Sequence, residues 1–84
     1  MTTSLSISIT KHHIASCVSS IHKIYEFEGD RFAVRAELAR LIEHIANAPK
    51  RAFRQLKIFT IQQAANLHTE DRVALTQALN NVIR

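Results

Sequence analysis

The segment Val34-Arg-Ala-Glu-Leu-Ala-Arg-Leu-Ile-Glu-His-Ile45 places its apolar residues Val34, Leu38, Leu41 and Ile45 at i, i+4, i+7 and i+11. That spacing returns to one face of a 3.6-residue period, so it predicts an amphipathic helix. Ala33, Ala36 and Ala39 add helix propensity and let a neighbouring helix approach closely. Pro49 disfavours helical geometry in the residue before it, which ends the element near Asn47 and sets its span at 31–47.

Upstream, Gly29 supplies a helix stop and Asp30 an N-cap for the segment just described. Before them, Ile14, Cys17 or Val18, Ile21 and Ile24 or Tyr25 recur at helical spacing, predicting a first helix over 10–27. A competing reading makes 25–34 a hairpin around Gly29 and Asp30, because Tyr25 and Phe27 alternate with Glu26 and Glu28. At the start of the chain Leu5, Ile7 and Ile9 alternate with serines, the period-2 pattern of a strand, so 1–9 is expected to be an extended arm.

Downstream, Pro49 suits the first turn of a third helix over 50–67. In it Phe53, Leu56, Thr60, Ala64 and Leu67 form one apolar line, and Ile58, Ile61 and Ala65 form another, which together imply neighbours on both flanks. Thr69 is the expected N-cap of a fourth helix, 70–83. There Glu70 and Asp71 meet the positive end of the helix dipole, and Leu75, Ala78, Leu79 and Val82 face the core. Short connections favour antiparallel neighbours. The fold expected is therefore all-α, a compact bundle of about four helices with an extended N-terminal arm, in one domain spanning 1–84.

Several function classes are disfavoured by composition. The 84 residues are 46% hydrophobic and 21% charged, with one Gly and one Pro, as in a folded helix-rich domain. So small a core often gains stability by pairing, and a homodimer is expected. Eleven Lys and Arg against seven Asp and Glu give a net charge of +4, which favours acidic partners. Cys17 is the only cysteine, so no internal disulfide forms, and the start lacks a signal-peptide pattern; a cytoplasmic setting is expected. No apolar run approaches the roughly 20 residues that span a bilayer, so no membrane partner is expected.

Catalytic and metal chemistry are also poorly provided for. His13 and Cys17 share a helix face, but a structural zinc site needs four ligands and a catalytic site three, and His22, His44 and His68 stand at no recognisable spacing. The same pair makes a poor nucleophile, because apolar surroundings raise a thiol pKa. Glu26 and Glu28 form a carboxylate pair with little room for a water-excluding pocket, and Gly29 alone makes no phosphate loop. No enzyme activity, cofactor or metal is expected.

Binding is the reading that remains. Lys50, Arg54 and Lys57 are followed on one azimuth by Ile61 and Ala65, so the line passes from cationic to apolar; the sequence predicts that its far half is buried. Lys50 and Arg51 stand at the positive end of a helix dipole, where acids are preferred, and a bound anionic group would relieve that conflict. Lys50, Arg51, Arg54 and Lys57, flanked by Arg35 and Arg40, are thus the expected contact surface for an acidic macromolecular partner. The bland alternative is a solvated face paired with Glu37 and Glu43. Residues 60–75 resemble a helix-turn-helix, with Ala64 and Leu67 at its small and apolar positions. However, His68 stands where the turn takes Gly, and Glu70 and Asp71 would turn negative charge toward DNA. A protein partner is therefore favoured over nucleic acid. The role expected is a small regulator or inhibitor of the kind bacteria and phages encode, with a DNA- or RNA-binding regulator as the alternative.

Overall fold

In the computed structural model, which describes residues 2–27 and 29–82, the predicted helical faces assemble around one core. The helices are α1 (Thr2–Phe27), α2 (Arg31–Ala46), α3 (Phe53–Gln63) and α4 (Thr69–Asn81), with single 3-10 turns at Lys50–Ala52 and Ala64–Asn66. The parts of the sequence reading that fall on Met1, Glu28 and Ile83 lie outside the described residues. All four apolar residues of the α2 stripe are buried, and they meet Ile14, Val18 and Ile21 of α1, Leu56 of α3 and Leu75 and Leu79 of α4. The result is a compact all-α bundle. Its radius of gyration of 12.5 Å is close to the roughly 12 Å of a packed chain this long.

The N-terminal arm is corrected: residues 2–9 are helical and extend α1 to 26 residues. At about 1.5 Å per residue this helix accounts for the 40 Å long axis of the molecule. The reason is hydrogen bonding. A lone strand in this bundle has no edge to pair with, whereas continuing the helix satisfies the backbone locally. Ile7 then falls seven residues before Ile14 and packs against the core, while Ile9 turns to solvent.

The turn between α1 and α2 follows the helical reading and not the hairpin. Gly29 adopts φ 65° and donates its N–H to the Ile24 carbonyl at 2.7 Å. Asp30 caps α2 by accepting from the N–H groups of Phe32, at 2.9 Å, and Ala33, at 3.4 Å. Phe27 and Phe32 flank this turn and are both exposed.

The third and fourth helices need two adjustments. The predicted 50–67 helix is α-helical only over Phe53–Gln63, with the 3-10 turns tightening each end. Thr60, the one polar member of its buried line, is satisfied by donating to the Leu56 carbonyl at 2.7 Å. The N-cap of α4 is His68, not Thr69, and no side chain caps it. Thr69 Oγ1 instead accepts from Arg72 at 3.2 Å.

Candidate functional site

The cationic residues divide into one coherent group and several outliers. Lys50 and Arg51 sit on the 3-10 turn after Pro49, and Arg54 follows on the first turn of α3. All three are exposed, and no carboxylate among the described residues lies within ion-pair reach of them. No side chain caps this turn or the start of α3. Lys57 is half-buried and donates to Asn80 Oδ1 on α4. Arg40 pairs with Glu37 at 3.2 Å beside α1, whereas Arg35 borders Ala74 and Ala78 of α4. Five residues of α-helix separate these two arginines by about 140° around the axis, so the six predicted residues do not form one patch.

The apolar half of the same azimuth is also corrected. Ile61 remains 43% exposed and Ala65 is exposed, so the line is not buried in its far half. Ile58, from the second apolar line, is 52% exposed. Among the described residues, the Leu56–Thr60 side of α3 faces the core, flanked by Phe59 beneath Lys11 of α1 and by Lys57 against Asn80 of α4. The opposite side presents cations and then isoleucines to solvent.

A second cluster, which sequence reasoning missed, joins α1, α2 and α4. Asp71 is 1% exposed. Arg31 grips its carboxylate with two N–H donors, at 2.7 and 3.3 Å, and Tyr25 donates its hydroxyl to the same group. The Tyr25 oxygen in turn accepts from the His68 backbone N–H at 3.2 Å, and the two rings stack with centroids 3.6 Å apart. Arg31 also reaches Glu70 at 3.5 Å. In the sequence Asp71 reads as an acid favourable to the helix dipole and repelled by DNA, and not as a buried partner. The available signal was Tyr25 on the core face of α1, since a buried tyrosine hydroxyl needs a partner.

This cluster acts as an interhelical tie, because its buried polar atoms are bonded to one another across three helices. No described buried side-chain polar atom lacks a partner. Burial, followed by the hydrogen bond to Asp71, pushes the Tyr25 hydroxyl up to about 12 from its ordinary value near 10. Tyr25 is the only tyrosine and there is no tryptophan, so the near-ultraviolet tyrosinate band reports this one group. Its titration is expected near pH 12 in the folded protein. Below about pH 10 both folded and unfolded chains hold the proton, so the stability linked to Tyr25 is complete there; it is lost as pH rises through about 12. A tyrosinate band that grows in near pH 10 in the folded protein would contradict the tie.

The groove between α1 and α2, about 560 Å³, is lined by His13, Cys17, Glu37, Arg40 and His44 among others. The His13 and His44 rings lie against each other with centroids 4.6 Å apart. Cys17 is buried; burial and the nearby Glu37 carboxylate push its thiol up, against the opposing pull of Arg40. It is therefore held protonated and is a weak nucleophile. Among the described residues no three His, Cys, Asp or Glu side chains converge where they could hold a metal ion. No described helix is long and apolar enough to cross a membrane. Glu26 is exposed, and Glu28 lies outside the described residues.

Comparison with protein families, with characterised proteins and with solved structures finds no match to this chain. The functional reading therefore rests on its own residues.

Proposed function

We propose that the protein is a non-enzymatic binding protein, a regulator or inhibitor that acts by occupying an acidic surface of a partner protein. The contact group is Lys50, Arg51 and Arg54, with Lys57 at its border. One observation carries this reading: three exposed cations crowd the uncapped start of α3, and no acid occurs anywhere between His44 and Thr69. The bland alternative needed Glu37 or Glu43 as internal partners. Glu37 pairs with Arg40 in the groove between α1 and α2, and neither it nor Glu43 lies within ion-pair reach of Lys50, Arg51 or Arg54. Positive charge placed against the positive end of a helix dipole works against folding, and an incoming carboxylate group relieves it.

The test is affinity capture from cell lysate by the wild-type chain and by a variant carrying Arg51→Glu and Arg54→Glu, with and without nuclease. The expected result is a protein that survives nuclease treatment and is lost with the variant. Capture that disappears with nuclease, and that weakens log-linearly with salt, would favour a nucleic-acid partner instead. An unchanged set of captured proteins would remove the proposed contact group.

A further inference from the structure

Around α3, at 100° per residue, Ile58 and Ile61 lie within about 40° of Arg54, while the buried Leu56 lies about 160° away. The exposed line Arg54–Ile58–Ile61 therefore runs along the side of α3 opposite its core contact. Single exposed isoleucines are ordinary. Here two occupy consecutive turns of one line that continues directly into the cations. Isoleucine also gains little on a solvated helix face, where β-branching lowers helix propensity relative to Lys, Gln or Ala.

From this continuity we infer that the outward line of α3 docks an acidic amphipathic helix of a partner protein, with apolar residues against Ile58 and Ile61 and carboxylates against Arg51 and Arg54. This rests on the reading of α3 as the docking face and names the partner's chemistry. Two adjacent apolar residues on such a helix, at i and i+3 or i+4, cover the isoleucines, and the next turn supplies the acids. Nucleic acid matches only half of the line, since phosphates satisfy the arginines and leave the isoleucines without apolar contact. A second copy of this chain matches poorly as well. Parallel pairing of two α3 helices opposes cation to cation, and antiparallel pairing lays Arg54 over the apolar half of the other copy. Neither arrangement neutralises charge, because α3 carries no acid.

The test uses a synthetic helical peptide of about four turns, with leucines at i, i+3 and i+7 and glutamates confined to the adjoining turn. A shuffled peptide of the same composition and a short DNA duplex serve as comparisons. Binding is read by fluorescence anisotropy at low and moderate salt, with circular dichroism as the folding control. The ordered peptide is expected to bind at least about tenfold more tightly than the shuffled one, a preference that the variant Ile58→Asn with Ile61→Asn abolishes. Equal binding of both peptides overturns the inference, as does tighter binding of the duplex that the isoleucine variant retains. So does a wild-type dimer in light scattering that the isoleucine variant dissociates, since a second copy would then cover the face. If Arg51→Glu with Arg54→Glu changes binding to no acidic ligand, the proposed function itself fails. If charge matters and leucine register does not, only the helical partner fails.

Discussion

Replacing Asp71 with alanine is expected to destabilise the protein by about 2–3 kcal/mol, which for a chain this small lowers Tm by roughly 10–20 °C. The carboxylate is almost completely buried and receives hydrogen bonds from α1 through Tyr25 and from α2 through Arg31. Its removal strips the Tyr25 hydroxyl of its acceptor and leaves this end of α4 held to α1 by the Tyr25–His68 contact and to α2 by the more exposed Arg31–Glu70 pair. The loss falls below that of a fully buried ion pair because Arg31 is half-exposed and regains water when its partner goes. Thermal and urea denaturation of the two chains check this; a variant within about 0.5 kcal/mol of wild type would mean the tie contributes only what a surface pair does.

The same group sets an acid limit. Burial alone would raise the Asp71 pKa, but the hydrogen bonds from Arg31 and Tyr25, with the Arg31 charge, outweigh it and hold the carboxyl below the usual carboxylate range. An unfolded aspartate titrates near about 3.9. The folded state binds the proton less tightly than the unfolded one, so the contribution is complete well above pH 4. It declines as pH falls through that value and vanishes below the folded pKa. The stability gap between wild type and Asp71→Asn is therefore expected to be wide at pH 7 and to narrow at pH 3. A gap that is constant with pH would show that the carboxylate charge is not what holds the helices.

How far the sequence revealed these features depended on whether the determining contacts were local. The α2 stripe and the Asp30 cap were legible because helix periodicity and capping are set within a few residues. The first nine residues misled because three alternating apolar positions fit a strand, while only Ile7 among the two isoleucines is needed by the helix face. Tyr25 and Asp71 are 46 positions apart, and no local pattern encodes a polar contact across that separation. The Ile58–Ile61 line shows a different limit. Periodicity shows that a helix has a second apolar side; it does not say whether the neighbour on that side belongs to the same chain. The second apolar line, expected to meet a neighbour within the chain, is instead exposed at Ile58, Ile61 and Ala65, and it is the face proposed above for a partner.

Reversing Arg51 and Arg54 to glutamate is expected to move binding and stability in opposite directions. Lys57 is left intact, because its ammonium group bonds Asn80 and its replacement would disturb the α3–α4 contact. Arg51 and Arg54 are exposed and bond to no other described residue, so their replacement breaks no internal contact. Acids at the start of a helix interact favourably with its dipole, so the double variant should fold at least as stably as wild type, with a gain of about 0.3–1 kcal/mol. Partner association, measured by surface plasmon resonance on the captured protein or the acidic peptide, should slow by on the order of tenfold to a hundredfold at low salt. Neutralising both residues to glutamine should slow it less, since that removes attraction without adding repulsion. Dissociation should quicken only if one guanidinium is desolvated in the complex, a loss of roughly 2–5 kcal/mol. A variant that is more stable and yet does not bind would mean that the cations are kept at a helix start against the needs of folding, for the sake of the partner. A variant that is more stable and binds unchanged would mean that the basic group is only a solvated face.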